Sequence, residues 1–370
     1  MQRRSFLAAA GLSGFQLASA QPKNDHRIYA FGDGLRLTPE EYSRVLLQLA
    51  DAVSIDDYSR GGTIEQLEVK MAHILGKETA VWLPTGTLAN HLAIRMLAGN
   101  KRRVLVQAES HLQNDCGDCA ETLSGLHLIG LAPGRATFKL ADAERAADDA
   151  MLGRVTTPVG ALQIETPVRR KDGERFDFAE IQKISAWARR RGIGMHLDGA
   201  RLFIESVYTQ RPVKEYCDLF DTVYISMYKY FNAAAGAILA GPKALLTDLY
   251  HTRRMFGGGL PHAWPYAAIA LHYVDGFEQR LLAGVGNAER AIELLSNEGH
   301  FSFQRVPSGT NIFRMRVSDV NAPVYQVRLE DAGISAKAPV GTDWFTLQVN
   351  ETWSRFSATD IAARFRKALG

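Results

Sequence analysis

The sequence predicts an α/β protein, with a large domain built on a mostly parallel central sheet and a smaller C-terminal α+β domain. Three observations carry that expectation. Short apolar runs alternate with helix-spaced segments from about residue 63 onward, hairpin signals between them are few, and the pattern changes after about residue 257. Strand–helix alternation without hairpins means βαβ units, whose strands lie parallel. The expected divisions are a signal peptide at 1–20, an N-terminal arm at 21–50, the large domain at 51–260, and a long connecting helix with the small domain at 261–370.

Each element follows from local pattern. PEEYSRVLLQLADAV (39–53) has helical spacing, with Thr38 as N-cap and Glu40 and Glu41 in the first turn. Thr63 is expected to open a second helix, whose apolar stripe of Ile64, Leu67, Met71, Ile74 and Leu75 ends at Gly76. The strand TAVWL (79–83) leads into a helix over about 87–98, and RVLVQ (103–107) precedes another. ALQIE (161–165) precedes a helix at 177–191, then GIGMHLD (192–198), TVYIS (222–226) and GAILAG (236–241) follow as strands. One long helical stretch is expected over 261–296. The remainder, 301–368, reads strand, strand, helix, strand, helix. There is no internal repeat and no low-complexity segment.

Length and composition bound the function. A chain of 370 residues suggests about two domains of roughly 150 residues each. With 43 Lys and Arg against 40 Asp and Glu, the net charge of +3 offers no footprint for nucleic acid or an anionic membrane. Three cysteines cannot supply a disulfide framework. The opening MQRRSFLAAAGLSGFQLASAQ has Arg3 and Arg4, an apolar run over 6–17 and the small-residue site Ala18-Ser19-Ala20. That is the layout of a secretory signal of the twin-arginine type, too short to span a membrane, which needs about 20 residues. A periplasmic, soluble mature protein is therefore expected, with charge 41 − 40 = +1 after loss of the two arginines.

Three segments carry chemistry. In MHLDGARLF (195–203) a strand delivers Asp198 to its C-terminal end, with Arg201 three residues on. Ligand crevices of open α/β sheets lie outside those strand ends. In WLPTGTLANHLAI (82–94) a strand runs through Thr85-Gly86-Thr87 into a helix whose first turn holds Asn90, and free amides at a helix start suit phosphate. In TVYISMYKYFNAAAG (222–236) Lys229 follows an apolar strand, where desolvation can free its amine for a Schiff base. Taken singly, each segment is also compatible with capping or a solvated surface. Together they supply what pyridoxal 5′-phosphate needs: donors for its phosphate, a carboxylate for its ring nitrogen and a lysine for its aldehyde. Cys116 and Cys119 form C-G-D-C with Cys217 apart, so ordinary thiols or a short disulfide are expected and no metal site.

The stretch from about 54 to 275 resembles the threonine aldolase and β-eliminating lyase family of fold-type I pyridoxal-phosphate enzymes. The matching runs are DDYSRGGTIEQLE (56–68), PTGTLANHLA (84–93), ESHLQND (109–115), HLDGARLF (196–203), ISMYKYFNAAAG (225–236) and RRMFGGG (253–259). The resemblance implies the aspartate aminotransferase fold. It implies that Lys229 holds the cofactor aldehyde, Asp198 pairs with the pyridinium nitrogen, and Thr85, Gly86 and Thr87 receive the phosphate. His111 would stack on the ring and serve as the nearest candidate base, and Arg201 would sit near the phenolic oxygen. Tyr58 and Arg254 fall where such enzymes meet at a subunit interface, Tyr58 toward substrate and Arg254 toward cofactor, which implies a homodimer or homotetramer.

The implied reaction is retro-aldol cleavage of a β-hydroxy-α-amino acid to glycine and an aldehyde. The chain departs from the family where the substrate carboxylate is recognised. Gly32-Asp33-Gly34 replaces an S-D-T run, and Gln348 stands where the family has an arginine. Tyr230 follows Lys229 where a glycine is usual, and Leu260-Pro261-His262 replaces a basic pair. A neutral amide cannot make arginine's bidentate, charge-assisted pair. The alternatives are β-elimination or racemisation on the same cofactor, or a binding protein that holds the cofactor without catalysis.

Overall fold

The computed structural model describes residues 27–370; the signal peptide expected at 1–20 lies outside the described residues. After a short strand β1 (Ile28–Tyr29), seven strands build one sheet: β2 (Thr79–Leu83), β3 (Arg103–Gln107), β4 (His127–Leu131), β5 (Val159–Glu165), β6 (Gly194–Asp198), β7 (Thr222–Ser226) and β8 (Ala237–Gly241). Their order is β2-β8-β7-β6-β5-β3-β4. Neighbours from β4 through β7 run parallel, whereas β8 is antiparallel to both β7 and β2. Every residue of β5, β7 and β8 is buried, as strands covered on both faces require. In register, Glu165 lies beside Asp198, and Asp198 beside Tyr224, so three strand ends open onto one edge of the sheet.

The C-terminal part adds β9 (Phe301–Arg305), β10 (Ile312–Val317), β11 (Ile334–Ser335) and β12 (Phe345–Gln348). β9, β10 and β12 form an antiparallel sheet in the order β12-β10-β9. β11 pairs instead with β1, in parallel, so the arm is stitched to the C-terminal part of the chain. From there the arm continues toward the large sheet. Gln348 N donates to Ala30 O at 2.9 Å, and Leu35 N donates to Asn232 Oδ1 at 2.7 Å, close to Lys229.

Two expectations need correction. The single helical stretch over 261–296 is two helices, Trp264–Val274 and Phe277–Ser296. Gly276 adopts φ +70°, a left-handed conformation that no helix continues through, and it breaks them. The first packs Ala267, Ile269 and Ala270 into the large core. The second places Phe277 and Leu281 in that core, and Ala288, Ala291 and Leu295 in the core of the small domain. The second is a matter of one residue: the helix expected to open at Thr63 runs Gly62–Leu75, so Thr63 lies in its first turn. The Thr63 hydroxyl accepts from Ser54 N at 2.8 Å and donates to Ser54 O at 3.0 Å, clamping the preceding loop. The expected end at Gly76 is present, with φ +64°.

Thr38 caps the helix Pro39–Gln48 as its position suggests. Its Oγ1 accepts from Glu41 N at 3.2 Å, and Glu41 Oε2 accepts from Thr38 N at 2.7 Å, a reciprocal capping box. Among the described residues, no helix is long and apolar enough to cross a membrane. Thr38→Ala removes one half of the capping box and should lower stability by about 1 kcal/mol, read as an earlier midpoint in urea unfolding.

Candidate active site

Asp198 is the fixed point of the site. It ends β6, is 1% exposed, and has both carboxylate oxygens engaged. Oδ2 accepts from Asn90 Nδ2 at 2.6 Å and Oδ1 accepts from Ala200 N at 3.2 Å. Because the Asn90 amide nitrogen faces Asp198, its carbonyl oxygen must accept from His196 Nε2, 2.9 Å away. His196 Nδ1 is then the acceptor for the Thr222 hydroxyl, also at 2.9 Å. Burial holds the His196 pKa down at about 4, so the ring is neutral and the tautomer is set by its partners. Sequence reading noted Asn90 only as a first-turn residue and missed His196 and Thr222. Adjacent strands carry both, so nothing but the sheet register could reveal them.

Lys229 follows β7 in a tight loop. Met227 N donates to Gly236 O at 3.0 Å, and Ala233 N donates back to Met227 O at 3.1 Å. Its amine forms no ion pair or hydrogen bond among the described residues. Burial, then the Arg201 guanidinium, lowers its pKa to about 8, against the opposing charges of Asp198, Asp33 and Glu165. Both effects favour the neutral, nucleophilic amine.

Thr85 is the N-cap of the helix Gly86–Ala98, its side chain accepting from Leu88 N at 3.2 Å. Gly86 is required by space. A Cβ there would stand 2.0 Å from the Tyr224 hydroxyl oxygen. The Gly86 and Thr87 amides have no hydrogen-bond partner among the described residues and suit an anion, and the half-buried Thr87 adds a hydroxyl whose oxygen lies 3.8 Å from Cys116 Sγ.

His111 starts a one-turn helix capped by Ser110, and its backbone N donates to Glu165 Oε2 at 2.6 Å. Glu165 therefore links the strand end beside Asp198 to the His111 turn, and its other oxygen accepts from Arg169 N at 2.9 Å. Burial raises the Glu165 pKa, and Asp198 adds to the effect. A hydrogen bond with the Cys116 thiol is the largest cause raising the His111 pKa; burial opposes it and the Asp198 charge supports it. Cys116 and Cys119 are buried free thiols, as is Cys217. Glu165 was legible only as the last residue of ALQIE and carried no motif.

Arg201 engages the arm. Its Nε and Nη2 each lie 3.0 Å from Asp33 Oδ2, and Nε is 3.2 Å from Oδ1. Gln348 Nε2 donates to Asp33 Oδ1 at 3.0 Å, while its Oε1 accepts from Gly32 N at 2.7 Å. A Cβ at Gly34 would lie 2.4 Å from Asn232 Oδ1 and 2.5 Å from Lys229 O, so the arm passes directly against the lysine loop. Asp33 was not singled out in the sequence, although it sits between two residues that were. A cavity of about 440 Å³ is lined by Asp33, Arg36, Arg201, Tyr228, Lys229 and Asn232, with Gln348 behind Asp33 and outside its lining.

Tyr58 and Arg254 are not brought to that cavity within one chain. They meet each other, the Arg254 guanidinium lying 4.4 Å from the Tyr58 ring centroid. Tyr58 takes φ +47° and its backbone N donates to Pro261 O at 3.0 Å. The buried Arg253 beside it supports the loop, donating to Tyr58 O and Ser59 O at 3.2 Å each.

An unpaired amine, a carboxylate fixed in direction, and an anion cradle that excludes a Cβ suit pyridoxal 5′-phosphate at its aldehyde, ring nitrogen and phosphate respectively. Residues 47–318 match the model of the beta-eliminating lyase family. The chain is 30% identical over 229 residues to the low-specificity L-threonine aldolase of Candida albicans, covering 59% of this chain and 58% of that protein. It is 30% identical over 203 residues to the alanine racemase TOXG of Cochliobolus carbonum, covering 54% and 50%. The matches thus span about half of each curated relative's length. A crystal structure from Exiguobacterium sp., titled as an aromatic amino acid beta-eliminating lyase/threonine aldolase, superposes with a TM-score of 0.77 at 26% identity. That match covers 94% of this chain and 98% of the other. With the family match covering most of the chain and the overall architecture shared, this protein belongs to the beta-eliminating lyase family.

Proposed function

We propose that the protein is a pyridoxal 5′-phosphate-dependent carbon–carbon lyase that cleaves a β-hydroxy-α-amino acid to glycine and an aldehyde. The observation that carries this reading is a Lys229 amine with no ion pair or hydrogen bond among the described residues, within the field of Asp198, whose carboxylate is oriented by Asn90 from the helix that the Thr85-Gly86-Thr87 turn opens. Bound there, the cofactor supplies a sink for the electron pair released when a bond to Cα breaks.

The chain's own residues do the rest. Lys229 offers the amine that holds the aldehyde, and its neutral form is favoured by burial and by Arg201. Asp198 is aimed at the ring nitrogen by Asn90, which is itself fixed by His196 and Thr222. Gly86 and Thr87 present amides and a hydroxyl to the phosphate. His111 accepts the proton of the substrate β-hydroxyl at an imidazole nitrogen, directly or through an ordered water, while Glu165 holds its backbone in place. Racemisation by the same groups is the second reading, favoured by the similarity to an alanine racemase.

Arg3 and Arg4 before the apolar run at 6–17 support export to the periplasm, which fractionation of the source cells would test. The exposed Tyr58–Arg254 pair supports a homodimer or homotetramer, to be read from light scattering.

Purified protein incubated with the cofactor should turn yellow and release glycine and aldehyde from threonine or phenylserine. Yellow protein giving no product from any β-hydroxy amino acid sinks the lyase reading. Uptake of cofactor by the stripped protein should accelerate as pH rises through about 8, where Lys229 loses its proton. Borohydride should fix the label in the wild type and not in Lys229→Ala. The His196 pair of values, 6.5 unfolded and about 4 folded, gives a pH effect of known sign. Below about 6.5 the unfolded chain binds a proton that the folded one refuses. The His196 contribution to stability should therefore fall as pH drops through that window, by roughly 3 kcal/mol at most, while Glu68, Glu165 and Glu205, whose pKa values burial raises to about 7, contribute with the opposite sign. Urea unfolding of the wild type and His196→Gln across this range isolates it, because the carboxyl effects are common to both: the wild type should lose stability relative to the variant as pH falls.

A further inference from the structure

The charge balance at the substrate end of the cavity is unusual. Arg201 is already neutralised by Asp33, and Gln348 carries no charge and has both ends of its amide occupied. A substrate carboxylate approaching these three groups meets an anion, Asp33, in place of a free cation. A different arginine lines the same cavity as Lys229. Arg36 has no carboxylate partner among the described residues, and its guanidinium lies 4.6 Å from the Phe31 ring centroid and 5.6 Å from that of Tyr29. Phe31 and Tyr29 stand at 89° to each other, and the guanidinium lying against both is restrained by cation–π attraction that leaves its N–H groups available to donate. Its backbone is held at φ +57°, a left-handed conformation costly for a side chain of this size and of the kind that collects at functional sites. A second cation, Lys337, lies 5.6 Å from the Phe31 centroid and adds to the positive potential there.

We propose that Arg36, braced on Phe31, is the anchor for the α-carboxylate of the substrate, supplying the charge that Gln348 lacks. Resting on the lyase reading above, in which the substrate is an α-amino acid, this proposal says which residue of the chain holds its carboxylate. It also assigns specificity to the N-terminal arm rather than to β12. The Asp33–Arg201–Gln348 cluster then has a positioning role: it fixes the arm so that Arg36 faces the cavity.

The test uses the holoenzyme and two probes, glycine and 2-aminoethanol, which share the amine and differ in the carboxylate. Binding is read by calorimetry and by the change in the visible absorbance of the bound cofactor. The wild type should bind glycine the more tightly. Arg36→Gln should weaken glycine by about ten- to a hundred-fold, the range of a charge-assisted hydrogen bond to a carboxylate, with aminoethanol unchanged. Arg36→Lys should recover part of the loss. Phe31→Leu, which removes the ring and keeps the charge, should weaken glycine severalfold and guards against failure of the first variant to fold. Unchanged glycine affinity in Arg36→Gln, or aminoethanol bound as tightly as glycine by the wild type, overturns this proposal while the lyase reading stands. Yellow wild-type protein that binds neither probe overturns both.

Discussion

The site depends on the direction of one buried carboxylate. Asp198 lies at a strand end with no solvent to orient it, and its geometry is set by a relay running from Thr222 through His196 and Asn90. Each member has its polar atoms matched, which is what makes a buried polar network favourable rather than costly. The relay spans two neighbouring strands and the helix that crosses them. The register of the sheet is thereby converted into the aim of a functional group. Lys229 follows β7, the strand that carries Thr222, and the proposed phosphate cradle opens the crossing helix. The three parts of the constellation are thus placed by one rigid layer, not by three independent loops.

Much of this was legible in the sequence because it follows from short-range chemistry. Thr38, Thr85 and Gly76 have local roles, as a cap or a helix end, and the strand ends at Asp198 and Ser226 follow from apolar runs of ordinary length. The errors have physical causes of the same kind. Helical periodicity continues across residues 261–296, and the break at Gly276 depends on one glycine taking a positive φ, which periodicity does not record. The helix expected to open at Thr63 begins one residue earlier, at Gly62, and the loop at Ser54 claims the Thr63 hydroxyl, a contact that periodicity does not record either.

What was illegible comes from distance along the chain. Glu165 meets the His111 turn 54 residues away, and Asp33 meets Gln348 across 315 residues. No pattern within a window of twenty residues holds that information. The sequence did mark Gly32 and Gln348 as departures from the family, yet only the fold shows that they are joined: Gly32 N donates to the Gln348 amide oxygen, and the Gln348 amide nitrogen donates to Asp33. Two substitutions that read as separate losses are one rearranged cluster.

The pairing of β1 with β11 has a temporal consequence. As the ribosome releases the chain, the large sheet can assemble long before the final segment emerges, but the arm stays without its partner strand until then. The wall bearing Asp33 and Arg36 is therefore the last part of the cavity to close. A nascent chain lacking its end could already present Lys229 and the helix Gly86–Ala98, yet not the surface that selects what enters. For this topology the arm closes only after β11 has emerged, long after the strands of the large sheet.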